Sequence, residues 1–119
     1  MLLLLCWMLA CAAPIHQTGV ASWYGAELAG RPTASGERFR PGLMTAAHPK
    51  LPFGTVVRVT RLDNGKRVRV VINDRGPYAG GRILDLSQAA ARRIGAIDAG
   101  TVKVKLQIVG CKRRYDRCR

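Results

Sequence analysis

The amino-acid sequence predicts a small, mostly antiparallel β-barrel, and three observations carry the prediction. Several short segments alternate apolar and polar residues with the period of two that marks a half-buried strand. One stretch only, "LSQAAARRIG", reads as a helix. The strands and helix do not alternate regularly, which argues against a parallel, doubly wound sheet. With 119 residues and 48% hydrophobic side chains, the chain has enough apolar material for one core in one domain.

The elements follow in order. "GVASWYG" is a first strand, with Val20 to Tyr24 rich in β-formers and Gly25 closing it. "AGRPTASGERFRPG" is loop, punctuated by Gly30, Pro32, Gly36, Pro41 and Gly42. "LMTAAH" is a short strand ending on His48, and Pro49 and Pro52 then prevent regular structure until "FGTVVRVTRL". In that segment and in "KRVRVVIN", Val57, Val59, Val68, Val70 and Ile72 face inward while Arg58, Thr60, Arg67 and Arg69 face out. Asp63-Asn64-Gly65 joins the two as a tight hairpin turn. Ser87 caps the helix, Ala89 to Ala91 propagate it and Gly95 ends it. "TVKVKLQIV" is a last alternating strand, with Val102, Val104, Leu106 and Ile108 on one face.

Twenty basic residues against seven acidic ones give a formal charge of +13, a field that attracts polyanions. The start of the chain indicates where those anions lie. "MLLLLCWMLAC" has the length and apolarity of an export signal and falls short of the ~20 residues a membrane span needs. It ends in Leu9-Ala10-Cys11, similar to a bacterial lipobox, so Cys11 is expected to be cleaved to and lipid-modified. The expected division is therefore a signal at 1–11, a tether at 12–18, a barrel domain at 19–110 and a basic tail at 111–119. Cys6 leaves with the signal, and Cys111 and Cys118 are expected to close a disulfide in the oxidising compartment beyond the membrane. Export removes most nucleic-acid partners and turns the positive charge toward wall or membrane anions. A metal site is not expected, because His16 lies in the tether far from His48. No signature of a nucleotide, RNA or other cofactor site is present.

Scarce carboxylates mark the candidate site. In "VVINDRGPYAGGRILDLS", Asp74 ends an apolar run and Asp85 follows eleven residues later. A carboxyl group at the end of a buried strand is rigidly mounted and suits proton transfer to a leaving oxygen. Asp85 precedes Leu86-Ser87 and reads either as a residue orienting the helix start or as a substrate contact. Tyr24 and Tyr78 present flat rings of the kind that stack on sugar faces. Of the adjacent Trp23 and Tyr24, strand alternation sends one to the core, and Tyr24 is the one expected in the groove.

Five stretches in order, "GVASWYG", "GRPTASGERF", "LMTAAHPKLPFGT", "VVINDRGPYAGGRILDLS" and "AAARRIG", resemble the rare lipoprotein A family across residues 19 to 109. The resemblance implies a six-stranded double-psi β-barrel with one or two short helices, a mainly β fold shared with expansins, barwin and family-45 endoglucanases. It also implies an endolytic peptidoglycan transglycosylase, cleaving between the muramic and glucosamine sugars of denuded glycan strands and leaving 1,6-anhydro ends. The family's catalytic acid falls on Asp74, its glutamate on Glu37 and its histidine on His48. Asp74 then acts first as acid and then as base. Glu37 tunes it or stabilises the cationic sugar, and His48 orients a carboxylate. Arg75 and Arg82 would meet the lactyl carboxylate of the muramic sugar. The implied setting is a monomeric, periplasmic, outer-membrane lipoprotein whose partner is the glycan strand. Two other readings remain open at this point: an expansin-like wall binder without catalysis, and a hydrolase of the family-45 type.

Overall fold

A computed structural model describes residues 16–112. The signal segment with Cys11, and Cys118 of the expected disulfide, lie outside the described residues; Cys111 itself is disulfide-bonded. Among the described residues six strands are formed: β1 (His16–Tyr24), β2 (Thr45–Ala47), β3 (Thr55–Arg61), β4 (Arg67–Asp74), β5 (Arg82–Ser87) and β6 (Val102–Cys111). One helix, α1 (Gln88–Arg93), follows β5, and Ala26–Leu28 makes a single 3₁₀ turn. The strands close into a barrel in the order β1-β5-β2-β4-β3-β6.

Period-two alternation builds the barrel wall. Val57 and Val59 of β3, Val70 and Ile72 of β4 and Val104 of β6 are completely buried. Each contributes about 1.5–3 kcal/mol by leaving water. The β3–β4 hairpin closes with Arg61 N–H donating to the Lys66 carbonyl at 2.9 Å. Gly65 takes the positive φ of 72° that the turn requires. Helix α1 starts where Ser87 Oγ accepts from Ala90 N–H at 3.2 Å and ends before Gly95, whose φ is 71°. The same hydroxyl donates to the Leu43 carbonyl at 2.6 Å, fastening the helix start to the entry of β2.

Three features differ from the sequence expectation. β1 begins at His16, so residues 16–18 of the expected tether belong to the barrel and pair with Lys105 to Gln107 of β6. β5 is not among the alternating segments, because its six residues run straight into the helix and show no clean period. Two of the six strand pairings, β1–β5 and β2–β4, are parallel; side-chain periodicity reports which face is buried and not which strand lies alongside.

Both parallel pairings carry a bulge, and the bulges position the acids. On β5, Val20 pairs with Arg82 and Ala21 with Leu84, leaving Ile83 as the extra residue. Residues three apart on a regular strand point to opposite faces; the bulge resets that alternation and brings Arg82 beside Asp85. On β4, Ala46 pairs with Ile72 and Ala47 with Asp74, so Asn73 is extra. The strand is re-aimed just before its catalytic candidate.

Candidate active site

A single register row crosses four neighbouring strands. Ser22 of β1 pairs with Asp85 of β5, Asp85 with Ala47 of β2, and Ala47 with Asp74 of β4. The two aspartates thus sit two strands apart, roughly 9.5 Å between backbones at the usual strand spacing, with an alanine between them.

Asp74 is partly exposed, and its Oδ1 accepts from the backbone N–H groups of Ala34 and Arg75, each at 2.9 Å. Ala34 belongs to the segment 33–37, which is docked on the end of β4 by Ser35 N–H donating to the Asn73 carbonyl at 3.2 Å. Within that segment both the N–H and the hydroxyl of Thr33 donate to the Glu37 carbonyl at 2.7 Å. Ser35 Oγ lies 3.5 Å from Glu37 Oε1. Glu37 and Asp74 are therefore coupled through one short turn.

Tyr24 converges on the same place. Burial first, then the negative charges of Asp74 and Asp85, hold its phenol well above the ordinary range. Its hydroxyl is buried with no hydrogen-bond partner among the described residues, and its ring packs against Phe39 at a centroid distance of 4.5 Å. Trp23, its neighbour, packs on the hydrophobic core.

Asp85 is bound rather than free. Ser22 Oγ donates to its Oδ1, Arg82 Nη1 donates to the same serine oxygen at 2.9 Å, and the Arg82 guanidinium lies 3.8 Å from the carboxylate. The helix start is capped by Ser87 and not by Asp85, so the orienting role that sequence position suggests for Asp85 goes to the serine. Sequence reasoning missed Ser22; the available signal was that it shares a strand face with Tyr24.

His48 and Arg75 form a neighbouring cluster. Backbone N–H groups of Lys50 and Leu51 both donate to His48 Nδ1 at 3.0 Å, so the proton resides on Nε2, which donates to Gln17 Oε1 at 2.8 Å. Burial, then Arg75 and Lys50, push the imidazole pKa down. The ring nitrogens are thus taken by backbone and by Gln17 rather than by the expected carboxylate. The link to Asp74 runs through backbone, His48 N–H donating to the Asp74 carbonyl at 3.1 Å. Arg75 Nη1 donates to the carbonyls of His48 and Leu51 at 3.2 and 2.8 Å, and the guanidinium carbon stands 4.0 Å over the Phe53 ring. Its donors hold the 48–51 turn. Tyr78 stands apart from these contacts, 82% exposed beyond the Gly76–Pro77 bond. Among the described residues no group of His, Cys, Asp and Glu side chains is placed to hold a metal ion.

Residues 16–106 match a family model described as lytic transglycolase. A probable endolytic peptidoglycan transglycosylase RlpA of Nostoc sp. is 56% identical over 94 residues, covering 77% of this chain and 25% of that protein. The endolytic peptidoglycan transglycosylase RlpA of Neisseria meningitidis serogroup A is 50% identical over 95 residues, covering 80% and 40%. The chain thus spans well under half the length of these relatives. Among solved structures, the Streptomyces papain inhibitor aligns with a TM-score of 0.66 at 25% identity, covering 81% of this chain and 96% of that one. The Clavibacter michiganensis expansin aligns at 0.64 and 25% identity, covering 81% and 51%. An inhibitor and an expansin on one scaffold show that this barrel does not by itself fix an activity. The match of family model and relatives over nearly the whole described barrel is decisive at the level above: the chain belongs to the lytic transglycolase family of double-psi β-barrels.

Proposed function

We propose that the protein is an endolytic peptidoglycan transglycosylase, acting outside the cytoplasm on glycan strands. The observation that carries this reading is the partly exposed carboxyl group of Asp74, fixed at the end of β4 by the Ala34 and Arg75 amides, on a barrel that matches a lytic transglycolase family model. A hydrolase needs two working carboxylates, one of them to act on water or the sugar. A lytic enzyme needs one. Asp74 gives its proton to the glycosidic oxygen as the bond from the muramic C1 breaks, and the glucosamine side leaves as an alcohol. The C6 hydroxyl oxygen of the same muramic sugar then bonds to C1 while its proton returns to Asp74. No water is consumed and the carboxyl group ends as it began.

The surrounding groups support that cycle. The Ala34 and Arg75 amides fix Asp74 in place. Glu37 supplies negative charge one turn away for the cationic sugar, and Arg82, 36% exposed, and Tyr78 offer a cation and a ring for the strand. His48 and Arg75 act as positioning residues, through the 48–51 turn. Anchoring through lipid on Cys11 belongs to the same reading, as does a periplasmic place at the outer membrane.

The test is digestion of denuded glycan strands in ¹⁸O-labelled water, with mass analysis of the fragments. Fragments with anhydro ends, lacking the mass of one water and free of the label, are expected. Labelled reducing ends would assign a hydrolase. Binding to sacculi with no fragment released would assign the expansin-like role that the Clavibacter structure suggests.

A further inference from the structure

Ser22, Asp85 and Arg82 are more ordered than a surface ion pair requires. Ser22 faces Asp85 directly across the parallel β1–β5 pair, and the β5 bulge at Ile83 brings Arg82 to the same side. A guanidinium can only donate, so the Ser22 hydroxyl oxygen accepts from Arg82 Nη1 at 2.9 Å. Its one proton is then directed to Asp85 Oδ1. The donors run one way, from Arg82 through Ser22 to the carboxylate.

The serine also keeps two partners apart. An arginine beside a carboxylate frequently closes into a forked pair that takes both oxygens. Here Arg82 Nη1 stays 3.8 Å from Asp85 Oδ1, beyond hydrogen-bond reach, with Ser22 Oγ bonded to both groups. The other oxygen, Asp85 Oδ2, accepts no hydrogen bond among the described residues and is not buried. The Asp85 side chain keeps 21% of its surface, whereas Ser22 keeps 8%. One oxygen is pinned from within the wall and one is left to solvent. That open oxygen belongs to the neighbourhood of Asp74: the two residues share one register row, and the charges of both reach the Tyr24 phenol.

We propose that Ser22 is a positioning residue, which by standing between Arg82 and Asp85 keeps Asp85 Oδ2 open as an acceptor for a hydroxyl or acetamido N–H of the bound glycan. A carboxylate takes O–H and N–H donors and repels another carboxylate. Asp85 therefore reads the amino-sugar rings of the strand and not its lactyl groups. The assignment rests on the proposed function for the identity of the strand, and deepens it. Asp74 moves the proton, while Asp85, two strands away on the same row, holds the sugar chain across it.

Binding of denuded glycan strands is read by calorimetry on proteins carrying Asp74→Asn, each held below its melting point. Asp85→Asn is expected to weaken binding about tenfold or more, the worth of one hydrogen bond to a charged acceptor. Ser22→Ala lets the guanidinium close on both oxygens and is expected to weaken binding about fivefold or more. Ser22→Thr keeps the hydroxyl on a strand that suits β-branched residues and is expected to stay within about twofold of the parent. Ser22→Val, matched in shape to threonine but without the hydroxyl, is expected to bind as weakly as Ser22→Ala, so the comparison survives if the alanine variant does not fold. Adding Ser22→Ala to Asp85→Asn is expected to change binding by less than about twofold, because the serine acts through the acid. A serine that merely clips β1 to β5 would lower the melting point and leave binding unchanged, and that result would overturn the proposal. Independent, multiplying losses from the two substitutions would also overturn it. Strands whose lactyl carboxylates have been reduced to alcohols are expected to show the same losses; losses confined to unreduced strands would place the contact on Arg82 and overturn the proposal. Each of these contrary results leaves the transglycosylase reading intact, whereas failure of the parent to bind any strand would remove both.

Discussion

Replacing Asp74 by asparagine separates the chemistry of the site from its architecture. Asparagine keeps an Oδ1 acceptor, so the bonds from Ala34 and Arg75, both 2.9 Å, can persist in neutral form. Charge-assisted bonds of this kind are stronger than neutral ones by about 1 kcal/mol each. The expected loss of stability is therefore about 1–2 kcal/mol, or a melting point lower by roughly 5–15 °C for a barrel of this size. The amide cannot give a proton to the glycosidic oxygen or accept one from the C6 hydroxyl. General acid or base catalysis contributes about 10²–10⁴-fold per step, or about 3–5 kcal/mol at roughly 1.36 kcal/mol per decade. The same group serves both steps, so release of anhydro-ended fragments should fall by at least about 10²-fold, measured by mass spectrometry on strands incubated well below the variant's melting point. A folded variant that keeps more than roughly a tenth of the wild-type rate would refute the assignment of Asp74.

Ser87→Ala removes the cap on α1 and leaves the Leu43 carbonyl without its donor; the sum is about 2–4 kcal/mol, seen as a lower urea midpoint with an unchanged m-value. Tyr24→Phe deletes a buried, unpartnered hydroxyl, so the melting point should hold or rise; a lower melting point would show a structural bond instead. His48 has a folded pKa below its unfolded one, so its contribution to stability is full above about pH 6.5 and is lost as pH falls through the lowered value. Urea midpoints taken from about pH 7.5 down to about pH 5 should therefore decline for the wild type and stay flatter for His48→Gln; parallel curves would contradict the sign.

Much of the wall of the barrel is legible in the sequence, because Val57, Val59, Val68, Val70 and Ile72 are buried by a rule that depends only on neighbours in the chain. The helix is legible for the same reason: its start and stop reside in Ser87 and Gly95. β5 is not, since six residues with a bulge carry no clean alternation. The Ser22–Asp85–Arg82 cluster is hidden more deeply. Ser22 and Asp85 are 63 residues apart, and what unites them is a parallel pairing that no local pattern encodes. For His48, sequence position near the site is visible, but the two backbone donors that occupy Nδ1 depend on how the Pro49–Pro52 turn folds back.

The ladder through Ser22, Asp85, Ala47 and Asp74 also bears on how such a protein can be re-engineered. Because hydrogen-bonded backbone sets the gap between the acids, exchanging the surrounding loops would change which polymers are accepted and leave that gap untouched. Ala47, between them on the ladder, is 3% exposed, so a side chain larger than methyl there would have to displace its packed neighbours, and the separation is held by packing as well as by backbone.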